Sequence, residues 1–430
     1  MRLLFTILQV ALGIFSKDPE MSAGNLCGYF PQDTLVSEAP KGYKPFYISH
    51  IARHGSRFLD SDVSKYFRAI DTLDFYAAQG MLTADGLSLM EDLRCMHSMT
   101  EGHYGELTQL GAQEHRQICG RMVLHYPEVF SGSARTQVQA FSTPSSRVIA
   151  SMESFLSELG ERCPQMAVDT FKTHWGGDVK SQEVVGYNHL LTGDLKKESR
   201  KRDKELRKLG KVINGGNGDF HVFAGRIFLE PEKISPSTVY LVARYSYKVL
   251  KTGRLTNPAA MPSMGKYFTA SELYALWVNN SLHWLKYLNR PDYVTPEVAT
   301  RGYGILDRIV HDADEAIESG STAAATLRFS HDTYLLPLMG AIGFEGTCPD
   351  CEDTEMFEHF QDFNFVPPAC NVQLVFYRKK SRGPVLVKFL LNEKETLIPG
   401  LKPKTGCFYD WRAVKKFWAS SRPSSAASRR

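Results

Sequence analysis

The mostly apolar run Phe46–Ala52 constrains the fold more than any other stretch. Rich in β-branched and aromatic residues, it predicts a buried strand, and it ends abruptly at Arg53-His54-Gly55-Ser56-Arg57. In open α/β sheets ligands bind beyond the carboxyl ends of strands, so these side chains would line a pocket floor. Arg53 and Arg57 are four apart. If the turn winds into a helix, their guanidinium forks point the same way and grip a tetrahedral anion bidentately. His54 then faces the centre of that anion, where a neutral imidazole nitrogen can attack phosphorus. Gly55 lets backbone and ligand approach closely. Taken alone, the motif would also suit a surface turn with three solvated side chains.

Two further junctions repeat the pattern. Thr136–Phe141 alternates polar and apolar residues, and Ser142-Thr143-Pro144-Ser145-Ser146-Arg147 then opens a helix. Arg147 falls in its first turn, where a cation opposes the helix dipole; a bound anion would justify it, and a surface arginine is the plain alternative. Thr326–Phe329 reads as a strand, Ser330-His331-Asp332 as a turn, and Tyr334–Met339 as a buried helix ending near Gly340 or Gly343. His331 is suited to donate to a phosphoryl oxygen. Asp332 is suited to protonate a departing alkoxide, although an N-cap Asp would read the same way. Between these junctions, Thr108 caps a helix that opens at Gly105–Gly111 and runs toward Tyr126-Pro127.

The remaining features set bounds. With 43% hydrophobic and 23% charged residues over 430 positions, neither disorder nor a membrane bundle is indicated. Net charge is +4, and nine basic residues against four acidic ones between Asp194 and Lys211 more than account for it. That helix has either a solvated face or a rim that attracts polyanions, and no nucleic-acid module accompanies it. Met1-Arg2 followed by the apolar run Leu3–Phe15 predicts a signal peptide over 1–23 and a secreted, periplasmic or extracellular protein, with an uncleaved membrane-proximal anchor as the alternative. Thirteen residues are too few to span a bilayer, so no stable membrane span is expected. Cys348-Pro349-Asp350-Cys351 lacks a second half-site and favours a local disulfide or free thiols over zinc. His311-Asp312-Ala313-Asp314-Glu315 reads as an exposed helix face rather than a metal cluster. Val372–Tyr377 and Val385–Leu390 predict a hairpin at the sheet edge, and Asn279-Asn280-Ser281, a sequon inside an apparent helix, is discounted.

Taken together, Arg53-His54-Gly55-Ser56-Arg57, Gly105–Gly111 running to Tyr126-Pro127, Ser142-Thr143 with Arg147, and His331-Asp332-Thr333 resemble the blocks of the histidine acid phosphatase family, in family order. This is the branch of the histidine phosphatase superfamily that includes phytases and multiple inositol polyphosphate phosphatases. The resemblance implies that His54 becomes a phosphohistidine, that Arg53, Arg57, Arg147 and His331 bind phosphoryl oxygens, and that Asp332 is the general acid. It implies no metal and no cofactor. The implied architecture is an α/β core, a mixed and mostly parallel sheet flanked by helices, from residues 24–160 and 300–418, with a helical wall over 60–104. A mainly helical domain over 161–299 is inserted, and 419–430 form a disordered tail. The implied substrate is a small phosphomonoester, phytate or another inositol polyphosphate before others. A broad acid phosphatase on sugar phosphates or nucleotides is the alternative, and a non-catalytic phosphate-binding surface protein a third. Two departures from the pattern stand out. Leu59 replaces a proline of the hallmark, and His331-Asp332 replaces the His-Ala-Glu frequent in the inositol phosphatases.

Overall fold

The strand β1 (Tyr43–Arg53) is buried from Pro45 to its end, as its apolar sequence requires. The computed structural model describes residues 12–31, 36–60, 65–132, 135–172, 193–257, 261–288, 296–318, 320–347, 350–379 and 383–422. After β1 come α1 (Arg68–Ala77), α2 (Ala84–Thr100) and α3 (Gln109–His125). Next are β2 (Gln137–Ser142), α4 (Ser146–Arg162) and β3 (Ala167–Phe171). The helices α5 (Gly193–Ile213), α6 (Pro236–Leu250) and α7 (Ala270–Ser281) dominate the insert. The chain then returns through α8 (Pro296–Ile317), β4 (Ala323–Ser330) and α9 (Asp332–Ile342). It closes with β5 (Asn371–Lys379), β6 (Leu386–Leu391), β7 (Lys394–Glu395), β8 (Tyr409–Asp410) and α10 (Trp411–Ser420).

The strands form one sheet in the order β3-β2-β4-β1-β5-β6-β7, with β8 also on β6. It is parallel from β3 to β1 and antiparallel from β5 onward. Register places the site. Arg53 lies level with Ser330, and Ser142 level with Phe329, so His54, Thr143 and His331 leave three adjacent parallel strands at the same end. Side chains alternate between faces along β1. Ile48 and Ala52 pack with Ile118, Met152 and Phe155 of α3 and α4, while Tyr47 and Ile51 join a second core with α8, α9 and α10. Burying each such aliphatic or aromatic side chain contributes about 1.5–3 kcal/mol, which makes β1 the strand least able to slip register.

The expected α/β core built from both chain ends, with helices between, is present. At its margins the structure adds detail that the sequence did not give. Within residues 12–23, read from sequence as part of a leader, Phe15 is 1% exposed against Trp277 and Phe363. Glu20 accepts from Met264 N at 2.8 Å, and the carbonyl of Ser22 accepts from Tyr247 at 2.6 Å. A cut after residue 23 would strip these contacts. β3 carries the core sheet past residue 160; exposed and, among the described residues, paired with β2 alone, it lacks the apolar run that marks an interior strand. The β5–β6 pair is not at an edge, because β6 is covered by β7 and β8. α10 extends through Ser420, and Arg422 pairs with Asp307, so the tail begins later than expected; residues 423–430 lie outside the described residues.

Asp312 is not part of an exposed face. It is buried and pairs with Arg328, itself fully buried on β4, and with Arg308 at 3.0 Å. A buried guanidinium demands a counter-charge, and a helix-face pattern cannot reveal which acid supplies it. The described cysteines are free thiols, and Cys348 lies outside the described residues.

His50 on β1 and His115 on α3 are buried against Phe329, and among the described residues the ring nitrogens of His50 have no hydrogen-bond partner. Burial drives both down from 6.5 to about 3. The unfolded chain therefore binds protons that the native state refuses. The stability they confer is complete above 6.5 and is lost as pH falls toward 3. By about pH 5 the loss is roughly 2 kcal/mol per histidine. Thermal melting should accordingly drop between neutral and mildly acid buffer, and drop less in His50→Phe. Identical acid sensitivity in the two proteins would exclude His50 as the cause.

Candidate active site

At the end of β1 the backbone of His54 is fixed on both sides. Its N–H donates to Ser330 O at 2.9 Å, and its carbonyl accepts from Ala369 N at 2.9 Å. The ring is 3% exposed, and Nδ1 lies 2.8 Å from Gly55 O. A carbonyl can only accept, so Nδ1 carries the proton and Nε2 keeps its lone pair. Burial, then the charges of Arg53, Arg147, Arg57 and His331, hold His54 well below its ordinary value. These influences favour the neutral imidazole, the form a nucleophile must take.

Those same charges show which predicted residues converge. Arg53 is 1% exposed; its Nη1 donates to Asn25 O and Val366 O, each at 2.6 Å, and its Nη2 meets Asp332 Oδ2 at 2.8 Å. Arg57 donates to Phe58 O at 2.9 Å and to Asp60 at 2.8 Å, and burial lowers it from its usual value. The guanidinium of Arg147 flanks Gly105, where an added Cβ would sit 3.7 Å from Nη1. His331 precedes α9, its ring centroid 5.4 Å from that of His54 and its Nε2 3.4 Å from Thr143 Oγ1. Burial, then Arg147, brings it down to about 4. The side chains named from sequence therefore share one strand-end cluster.

Asp332 opens α9, and its Oδ1 accepts from Thr333 N at 2.8 Å. Burial pushes its carboxyl up, but Arg53, His331 and Arg57 together outweigh burial and hold it below the ordinary range. With no substrate bound, Asp332 is a carboxylate.

The turn bearing these groups is held by the segment 105–108. Phe58 N donates to Glu106 O at 3.0 Å, Gly105 N to Leu59 O at 2.7 Å, and Thr108 N to Ser56 O at 2.9 Å. Leu59, in the proline's place, is 3% exposed and serves as an acceptor in this short ladder. Thr108 caps α3 as expected, accepting from Gly111 N at 3.2 Å. A Cβ on Gly55 would stand 2.4 Å from Gly111 O, so the close approach is made to protein backbone rather than to ligand.

Sequence reasoning missed several neighbours. Asn25 donates to Asp332 at 3.4 Å, and its backbone N–H donates to Asp362 at 3.0 Å; it stands in no motif or periodic segment that would mark it. Glu114 accepts from Ser56 N at 2.7 Å and Ser56 Oγ at 2.6 Å. Lys248 and Lys251, at the end of α6, both donate to Asn280 Oδ1. Burial, then Lys248, pushes Lys251 well below the lysine range; Arg57 and Arg53 are near enough to add to this. His283 is within electrostatic range of these lysines and of Asp332. Lys201, Lys204 and Lys208 on α5 lie toward solvent, as the solvated-face reading expects, while Leu206 packs inward. A separate groove of about 1340 Å³, bordered by Tyr29, Phe365, Asn392 and Tyr409, contains none of the predicted site residues.

A strand-end histidine caged by guanidinium groups and accompanied by a carboxylate defines a phosphate-handling class of α/β protein. The chain belongs to the histidine phosphatase superfamily (branch 2), whose family model matches residues 48–184 and 237–392, more than half of it. It is a phosphatase. The unmatched stretch between those segments contains α5. No curated protein matches the chain in sequence. Among solved structures it is similar to the multiple inositol polyphosphate phosphatase of Bifidobacterium longum in complex with inositol hexasulfate, with a TM-score of 0.71 at 17% identity over 94% of this chain and 99% of that one. It is also similar to the phytase of D. castellii, with a TM-score of 0.65 at 13% identity over 93% and 84% of the two chains. The Hafnia alvei phytase in complex with myo-inositol hexakis sulphate is more distant, with a TM-score of 0.51 at 12% identity over 90% and 99%. No helix among the described residues is long and apolar enough to cross a membrane.

Proposed function

We propose that the chain hydrolyses inositol polyphosphates, phytate among them, through a phosphohistidine on His54. The observation that carries this reading is the 2.8 Å contact of His54 Nδ1 with Gly55 O, which leaves Nε2 free to attack among Arg53, Arg57, Arg147 and His331. In the proposed reaction these cations hold the phosphoryl oxygens while Nε2 bonds to phosphorus. The P–O bond to the alcohol breaks, and its oxygen takes a proton from Asp332. Water then attacks the phosphohistidine, with Asp332 as its base, releasing phosphate. Asp332 begins as a carboxylate, so it must gain its proton as substrate binds. The dianionic phosphate offsets the arginine charges that hold it down, which makes that uptake favourable.

A polyphosphorylated substrate is favoured by Lys251, which lies within electrostatic range of Arg53 and Arg57, and by Lys248 beside it; both hold their protons weakly in the free protein and would take them up beside a bound polyanion. The sulfated inositol bound by the Bifidobacterium longum relative is consistent with such a ligand. The deciding assay compares turnover of phytate with that of glycerol phosphate. In the Lys248→Met/Lys251→Met double variant, KM for phytate should rise about tenfold, the equivalent of one lost charge-assisted contact, with glycerol phosphate little changed. Equal losses on both esters, or a wild-type preference for glycerol phosphate, would point to a broad acid phosphatase.

Export is part of the same proposal and is supported by the apolar run Leu3–Phe15 alone. Processing must then leave Phe15 and the segment from Glu20 to Asn25 in place. N-terminal sequencing of secreted material should find a first residue before Phe15; a mature chain beginning after Ala23 would contradict the packing described above.

A further inference from the structure

We infer that Glu114 is a positioning residue that acts on the nucleophile through a peptide bond. The inference rests on His54 being the nucleophile. The carbonyl of Gly55 accepts the Nδ1 proton of His54 at 2.8 Å. The N–H of that same peptide unit is Ser56 N, and it donates to Glu114 Oε2 at 2.7 Å. Carboxylate, amide and imidazole thus form one hydrogen-bonded line, with an amide inserted where a catalytic triad has direct contact between carboxylate and histidine. Negative charge at the N–H end of an amide increases the negative character of its oxygen, so the two hydrogen bonds strengthen each other.

The amide is immobilised for this task. Ser56 O accepts from both Thr108 N, at 2.9 Å, and Thr108 Oγ1, at 3.1 Å, and Gly55 N donates to Ser151 Oγ at 3.1 Å. A Cβ on Gly111 would lie 2.2 Å from Ser56 O, so no side chain separates the turn from α3. Glu114 is 5% exposed, and its second oxygen is taken by Ser56 Oγ at 2.6 Å. Burial pushes its carboxyl up to about 7, so the line carries its charge only on the alkaline side of that value.

The arrangement favours the transition state over the bound ester. As Nε2 bonds to phosphorus and the alcohol departs with the proton of Asp332, Nδ1 keeps its hydrogen and the ring becomes positive. The Nδ1–H bond to Gly55 O, reinforced from Glu114, strengthens as that charge develops. Glu114 should therefore act on kcat and leave KM almost unchanged.

The test pairs Glu114→Gln with Ser56→Ala in the full chain, assayed on the alkaline side of the Glu114 titration. Glu114→Gln keeps the shape and removes the charge, and should lower kcat about tenfold, the lower end for losing a residue that orients a reactive ligand, with KM within about twofold. Ser56→Ala retains the peptide N–H and should stay within about threefold of wild type. In protein labelled with ¹⁵N-histidine, the His54 Nδ1 proton should move upfield in Glu114→Gln and not in Ser56→Ala. If both variants lose activity equally with that resonance unmoved, Glu114 is only a tether for the turn. The resonance is readable without turnover: absence of phosphatase activity would count against the proposed function, while an unmoved Nδ1 proton in Glu114→Gln would count against the role of Glu114.

Discussion

His54→Ala is expected to lower turnover by roughly 10⁴-fold or more, because removing a nucleophile leaves only binding and electrostatic stabilisation. The loss should come without unfolding. His54 holds its strand end through its backbone N–H and carbonyl, which the substitution keeps. In the wild type, acid quench during turnover should trap a phosphoryl group that is labile in acid and stable in alkali, the signature of a phosphoramidate; His54→Ala should trap none. The geometry makes the test specific: His331, a neighbouring imidazole at 5.4 Å between ring centroids, is oriented differently and is held near Thr143. A phosphoenzyme that survives His54→Ala would transfer the nucleophilic role to another residue and overturn the mechanism.

Asp332→Asn should separate substrates by their leaving groups. An alkoxide needs a proton to depart, so alkyl phosphates, inositol phosphates included, should slow by about 10²–10⁴-fold, the usual worth of a general acid. Activated aryl phosphates should slow far less. The pH profile carries a second prediction. Wild-type kcat should fall as pH rises, because Asp332 in the substrate complex loses the proton it must deliver. In Asp332→Asn that alkaline limb should disappear. The acid limb has no contribution from His54 in the ordinary histidine range, since burial and three arginines keep it neutral there. Equal slowing of alkyl and aryl esters would show instead that Asp332 acts mainly by holding Arg53, with which it shares a 2.8 Å ion pair.

The sheet's parallel half and its reactive end were legible because each strand stops on polar residues: Arg53-His54, Ser142-Thr143 and His331-Asp332 mark their own positions. The helix caps at Thr108 and Gly343 were legible for the same local reason. What escaped were features without local periodicity. β3 is exposed and, among the described residues, has one neighbour. Asp312 resembles a solvated acid until Arg328 on another element requires it. Asn25 and Glu114 reach the site through contacts 307 and 58 residues apart along the chain, to Asp332 and Ser56, which no spacing rule predicts. Glu114 did leave a trace: it stands one helical turn past Thr108–Gly111, the segment that touches the nucleophile's turn.

The pairing of β1 has a consequence for how the protein is made. Its neighbours on either side, β4 and β5, begin only at Ala323 and Asn371. A ribosome adding about 5–20 residues per second needs tens of seconds to travel from Ile48 to Ala325. Throughout that interval the buried strand β1 has neither of the partners it pairs with in the fold, while helices of the later-synthesised insert can already form from local contacts. The strand ends that carry His54 and His331 can therefore come together only after β4 has been made, late in translation.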